Sequence, residues 1–335
     1  MANKTVTVKP SGGTYTSLNA ALVGEAADLV TNQCILTIEC YAMEDNNKIN
    51  MSGMSYTTNS SYYINITVPT SERHNGKWNT SKYRISNPDG WGWLFGIYAN
   101  FTRIDGIQIE NVSDGIIIVV TNATNCRVSN SILKTGLIGI NGQGTAYNCI
   151  ISDCATSGIG INWAEAYIYN CTFVNCAIGV SRVGNFPFDL INNLFSGCDD
   201  DLVGTDEVEG AEEGTYSFTY NATDLSTITT GIPTSAGFNN RFSQTFTFAG
   251  ASDFHLASTD AGARGYGVAD PADGLFSDDI DGQTRGATWD IGADQYVASS
   301  SVALSGTATS SITESDIVAG GKTVILTLTG DTWIA

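Results

Sequence analysis

The sequence predicts an all-β chain wound as a parallel β-helix, a solenoid of about 22 residues per rung. Three observations predict it. A short pattern returns as Asn125-Cys126-Arg127-Val128, Asn148-Cys149-Ile150-Ile151, Asn170-Cys171-Thr172-Phe173 and Asn192-Asn193-Leu194-Phe195, with Asn-to-Asn steps of 23, 22 and 22. Cys154, Cys176 and Cys198 repeat at the same step. Between them lie Gly-plus-aliphatic stretches: Gly115-Ile116-Ile117, Gly136-Leu137-Ile138, Gly158-Ile159-Gly160-Ile161 and Ile178-Gly179-Val180. Segments this short and β-branched, bounded by Gly, Asn and Asp, form strands joined by tight turns rather than paired helices. No repeat of this size buries its apolar face alone, so stacking supplies the core. Identical residues then stand in ladders about 4.8 Å apart, and Asn at a corner accepts left-handed dihedrals. An earlier turn, Thr102 to Ile109, fits with the Asn and Cys replaced.

Composition agrees and excludes several classes. Of 335 residues only 15% are charged and 36 are Gly, which suits a turn-rich β chain. The net charge of −19 argues against nucleic acid, whose phosphates are bound by Lys and Arg. No apolar run is long enough to insert in a membrane. Met1 to Val6 leads straight into a polar strand with no apolar signal region, so the protein is expected to stay inside its cell or leave without a signal. The eight cysteines read as packed free thiols, with Cys126, Cys149 and Cys171 in one column and Cys154, Cys176 and Cys198 in another. With no CxxC spacing and only two His, no metal site and no cofactor is expected.

Residues 1–33 read as a cap. Thr5-Val6-Thr7-Val8 is a strand, Pro10-Ser11-Gly12-Gly13 a turn, and Thr16 to Leu22 an amphipathic helix with room to continue through Ala26-Ala27-Asp28-Leu29-Val30. An open solenoid end must be covered, and this strand, turn and Tyr15/Leu18/Leu22 helix resemble the N-terminal cap of pectin-lyase-like β-helices. The β-helix itself is placed at 34–297. Cys34 to Tyr41 and Tyr62 to Val68 are strands within it, and loop excursions fall at about 70–95 and 199–250. The first excursion reads as a loop folded on the solenoid, its aromatics covering apolar surface. Its functional alternative is a glycan platform of Arg73, His74, Trp78, Arg84, Trp91 and Trp93. The second holds eight acids in the fifteen residues 199–213, read as a solvated loop rather than a Ca²⁺ site because the EF-hand pattern is absent. Thr215 to Phe248 suggests further rungs or a small lateral sheet.

Residues 251–297 carry Asp253-Phe254-His255-Leu256, then Asp279-Ile280-Asp281-Gly282-Gln283-Thr284-Arg285, then Asp290-Ile291-Gly292-Ala293-Asp294-Gln295-Tyr296. This series resembles the closing segment of many bacterial and viral right-handed β-helix repeat proteins. Arg285 is expected to fork onto a carboxylate such as Asp281 or Asp290 and pin the last turn, and Asp279 belongs to the same structural group. Beyond a Ser-rich linker, residues 298–335 hold two alternating strands, Val302 to Thr307 and Lys322 to Thr329. Two strands cannot bury a core alone, so this short β appendage is expected to dock on a partner.

No catalytic set is assigned. The Gly-His-Gly and Arg-x-Lys of galacturonases are missing, and Arg103, Arg127 and Arg182 do not share a register with Asp105, Asp153 and Glu165 as lyases of this fold require. Asp105 with Glu110 is the one carboxylate pair in a good strand, and His74 and His255 sit in irregular segments. The absent signal region, acidic charge, low Lys content and extracellular look of the fold together resemble a tailed-phage or metagenomic virion surface protein, which implies a structural role as a capsid decoration or fibre component. Such a protein assembles in the host cytoplasm, faces the exterior after release, and adheres weakly to glycans. Its expected partners are further copies of itself in a homotrimer and other virion proteins through 298–335. A tailspike-type polysaccharide depolymerase and a bacterial β-helix adhesin are the alternatives.

Overall fold

The computed structural model describes residues 3–86, 92–112, 115–162, 164–184, 186–204, 216–226 and 239–298. The chain divides into two compact units, 1–297 and 298–335. Both strands read in the second unit, Trp91 and the acids from Asp206 to Glu213 lie outside the described residues.

The first unit is nearly all β and is built on two long parallel sheets. One sheet has nine strands that stack in chain order: Lys4–Val8, Leu36–Cys40, Ile64–Thr67, Thr102–Asp105, Arg127–Ser129, Gly144–Tyr147, Ala166–Tyr169, Phe188–Ile191 and Tyr216–Thr219. The other has thirteen, because Ile132–Asn141 and Ile150–Asn162 run unbroken round a bend at Thr135 and Asp153, both left-handed with φ of 55° and 56°. Alternation is the cause: in Leu36–Cys40 every second side chain points inward, and Leu36, Ile38 and Cys40 are sealed from water. The register advances 22 residues from Thr145 to Tyr167 to Asp189, but 24 from Arg103 to Arg127 and 18 from Arg127 to Thr145.

Corners follow from side-chain chemistry. Gly106, Asn130, Asn148, Asn170, Asn192 and Tyr220 form one ladder, all with φ between 46° and 75°. The residue after each Asn lends a donor to the carbonyl two positions back. Ser131 Oγ donates to Ser129, Cys149 Sγ to Tyr147, Cys171 Sγ to Tyr169, and Asn193 Nδ2 to Ile191. Cys149 and Cys171 are therefore neighbours in a column that Asn193 continues. Cys126 is not in it. It follows Asn125 (φ 58°) at a different corner, with Arg127 paired to Arg103 and Thr145. The same local turn recurs, but at another edge of the sheet, so the step of 23 joined two corners. Cys154, Cys176 and Cys198 do follow one corner, formed by Asp153, Asn175 and Gly197. All eight cysteines are buried and free.

Inside, large and small residues alternate across the core. Phe173 and Phe195 stack at 4.9 Å and lie against a column of Gly158 and Gly179. A Cβ on Gly179 would stand 2.5 Å from the Phe195 ring and 2.7 Å from the Asp201 carbonyl oxygen. Both are rigid neighbours, so Gly179→Ala is expected to cost about 2 kcal/mol, read as a fall in the urea midpoint. A cost under about 0.5 kcal/mol would show that the interior yields there.

The cap helix is shorter than the sequence suggested. It spans Leu18–Gly24, with Ser17 accepting from the Ala20 N–H. Asp28 then bonds to the Val30 and Thr31 N–H groups, the local competition that stops a helix. After Tyr216–Thr219 and Ala222–Thr223 add one more turn, Phe248–Gly250 and Asp253–Leu256 form an antiparallel hairpin. Residues 255–296 do not extend the stack. They return along the Asn corner as a strap. Asn148 Nδ2 donates to the Asp278 carbonyl, Asn170 Nδ2 to Asp290 and Gly292, and Asn192 Nδ2 to Val268.

Candidate functional site

The outer face of the nine-stranded sheet carries two ladders. Asp105, Ser129, Tyr147, Tyr169, Ile191 and Thr219 share one register, and Arg103, Arg127, Thr145, Tyr167, Asp189 and Ser217 share the other. The strap covers the middle of the first. Tyr147 stacks on Phe276 at 4.6 Å, Phe276 meets Trp289 at 5.5 Å, and Tyr169 completes the cluster. The second ladder stays open beside it. Arg127, Thr145, Tyr167 and Asp189, with Tyr169 and the strap residues Pro271 to Leu275, line a cleft of about 490 Å³.

Each group there has a local cause. Tyr169 Oη donates to Asp189 Oδ2 at 3.0 Å, and partial burial holds the Asp189 carboxyl above the usual range. Tyr167 Oη donates to Glu165 at 3.3 Å, and its ring lines the cleft among polar neighbours. Arg127 and Asp273 add charge of both signs. An aromatic plate ringed by an Arg, a Thr hydroxyl and carboxylates can stack on a sugar ring and bond its hydroxyls.

The residues proposed from sequence as a glycan platform are spent internally. Arg73 pairs with Asp105 and donates to the Val68 carbonyl. His74 is 3% exposed, with Nε2 at 3.0 Å from the Asn130 carbonyl, and burial lowers its pKa to about 4. Trp78 packs on Ile132, Ile150 and Ile280 under Lys134. Arg84 bonds to Glu44 and the Thr80 carbonyl, and Lys48 sits over the Trp93 ring at 3.7 Å. The loop folds onto the parallel sheets, so these five are engaged with the body, and Trp91 is outside the described residues.

Two further expectations are corrected. Asp105 and Glu110 end strands of different sheets, and Glu110 pairs with Lys134 at 2.8 Å. Arg285 forks onto carbonyls rather than a carboxylate: Asp278, Asp290, Gly292 and Ala293, with Asn148 Oδ1 besides. Asp279 accepts from the Asp281, Gln283 and Gln295 N–H groups, and Asp290 from Gly265 and Tyr296. The Thr145, Tyr167, Asp189 step of 22 is visible in the sequence, but the opposing wall comes from more than 80 residues later. No family model, curated protein or solved structure matches the chain.

Proposed function

We propose that this chain is a right-handed parallel β-helix, about 22 residues to the rung, serving as a structural surface protein of a tailed-phage virion and gripping glycan in the cleft beside Tyr167. The cleft carries the glycan part of this reading, because an aromatic side chain, an arginine and carboxylates line one concave surface there. The virion part rests on the low Lys content, the extracellular look of the fold and an acidic surface that repels its neighbours. Trimer formation and docking through 298–335 belong to the same proposal.

Two measurements test it. Immunogold labelling of native particles should decorate them regularly, whereas label confined to producing cells favours the bacterial adhesin. On an array of acidic and neutral oligosaccharides, Tyr167→Ala should weaken whatever binds by about 10-fold, a loss of some 1.4 kcal/mol. Equal binding by the variant and the parent would remove the cleft from the account.

A depolymerase is the second reading, and one observation favours it. Asp189 keeps its proton more tightly than usual in the cleft that Asp273 also lines, as an acid with a carboxylate partner must. In that case Asp189→Asn abolishes release of reducing ends and leaves binding intact. If the parent releases none from any bound glycan, the depolymerase reading fails.

A further inference from the structure

His255, Asp281 and Asp294 come from three separate stretches of the strap. Their ligating atoms nonetheless lie within 4.8 Å of one another. His255 stands in the strand Asp253–Leu256, Asp281 in the turn that Arg285 anchors, and Asp294 in the segment that follows Arg285. Nδ1 of His255 is 2.5 Å from Asp253 Oδ1, and Lys77 Nζ holds the other oxygen of Asp253 at 3.0 Å. A carboxylate on one ring nitrogen fixes the ring and turns the other nitrogen toward a ligand, the arrangement found behind metal-bound histidines.

That other nitrogen has no hydrogen bond among the described residues. Nε2 is 3.6 Å from Asp281 Oδ2, too long for one, and that oxygen accepts from Gln283 Nε2 at 2.9 Å. It is close to the edge of about 3.4 Å between two ligands that each sit about 2.05 Å from a tetrahedral zinc. A second observation points the same way. Oδ1 of Asp281 is sealed from solvent with no hydrogen-bond partner among the described residues, although a buried carboxylate oxygen without one is costly. Asp294, 5% exposed, gives one oxygen to the Leu256 N–H at 2.6 Å, and no hydrogen bond reaches its other oxygen from the described residues. Two aspartates and one imidazole therefore converge.

From this geometry we infer a structural site for a divalent cation of the zinc type, held by His255 Nε2, Asp281 and Asp294, with Asp253 orienting the imidazole. The mixed nitrogen and oxygen set suits zinc better than calcium or magnesium, which take oxygen alone. Bound there, the ion ties the hairpin strand to both halves of the strap. A proton held between the His255 ring and its flanking carboxylates, Asp253 and Asp281, is the competing occupant.

The test uses the full chain after chelator treatment. Zinc chloride at about 100-fold over its Kd should raise the melting temperature by about 5 °C, reversibly on adding chelator. Titration calorimetry should give one ion per chain. His255→Gln and Asp281→Asn should each abolish the rise. Should either variant fail to fold, X-ray absorption of the zinc-loaded parent still decides, with nitrogen and oxygen neighbours at about 2.0–2.2 Å expected. No zinc-dependent rise overturns the site in favour of the proton. A rise that survives both variants, or a sulfur shell pointing to the cysteine columns, places the ion elsewhere and overturns it too.

Discussion

Arg285→Met is expected to lower stability by about 4 kcal/mol and to free the strap. The side chain is 5% exposed, and its donors reach the Asp278, Asp290, Gly292 and Ala293 carbonyls and Asn148 Oδ1 at 2.9 to 3.4 Å. Methionine fills similar volume but donates nothing, so several buried acceptors lose their partners at once. The guanidinium stays charged here although burial lowers its pKa to about 10. Lysine restores little, because three donors on one nitrogen cannot span a fork. Limited proteolysis should cut the variant within 255–296 before the rungs open, and the urea midpoint should fall. A variant that resists protease like the parent and loses less than about 1 kcal/mol would show the strap held by its aromatic cluster instead.

The second large effect is stabilising and depends on pH. Asp201 takes the place that Gly139, Gly158 and Gly179 hold in the rungs before it, and it is 1% exposed. Neither carboxylate oxygen has a hydrogen-bond partner among the described residues. Burial pushes its pKa up to about 7, with Asp224 and Asp200 adding to the rise and Thr223 opposing it. In the unfolded chain the group titrates near 3.9. Between about 4 and 7 the folded state therefore holds the proton that the unfolded state has lost, and stability falls as pH rises. Above about 7 the fall is complete. Asp201→Asn removes the ionisation, so it should exceed the parent by on the order of 3 kcal/mol at pH 8 and match it near pH 4. Denaturation at several pH values checks this. A difference that does not change with pH would mean that the gain is one of packing.

The stacked sheets were legible because their causes are local and repeat. Asn at the corners, a donor just after it and β-branched strands each follow from a few adjacent residues. The register was legible only where the spacing is regular. Asn125-Cys126 has the same local chemistry as Asn148-Cys149, and only the pairing of Arg127 with Thr145 shows that they turn different corners. The lateral strap was not legible. Its contacts join Asn148 to Asp278 and Asn170 to Gly292, residues more than 120 apart, and no periodicity marks them. For the basic, aromatic loop, folding onto the sheets was legible but its partners were not, for a related reason. Composition gives Arg73 and Trp78 as surface chemistry, while Asp105 and Ile132, which occupy them, lie tens of residues downstream.

The strap also sets an order of events. The corner at Asn130, Asn148, Asn170 and Asn192 exists only once successive rungs have stacked, since each corner belongs to a different rung. Residues 255–296 find their acceptors and donors on those rungs, so they have nothing to grip until the stack is assembled. During synthesis the ribosome delivers them last of the first unit. A chain whose middle rungs are slipped by one strand presents its corner amides out of line, and the strap cannot seat along them. A seated strap thus requires corner amides that are already in line.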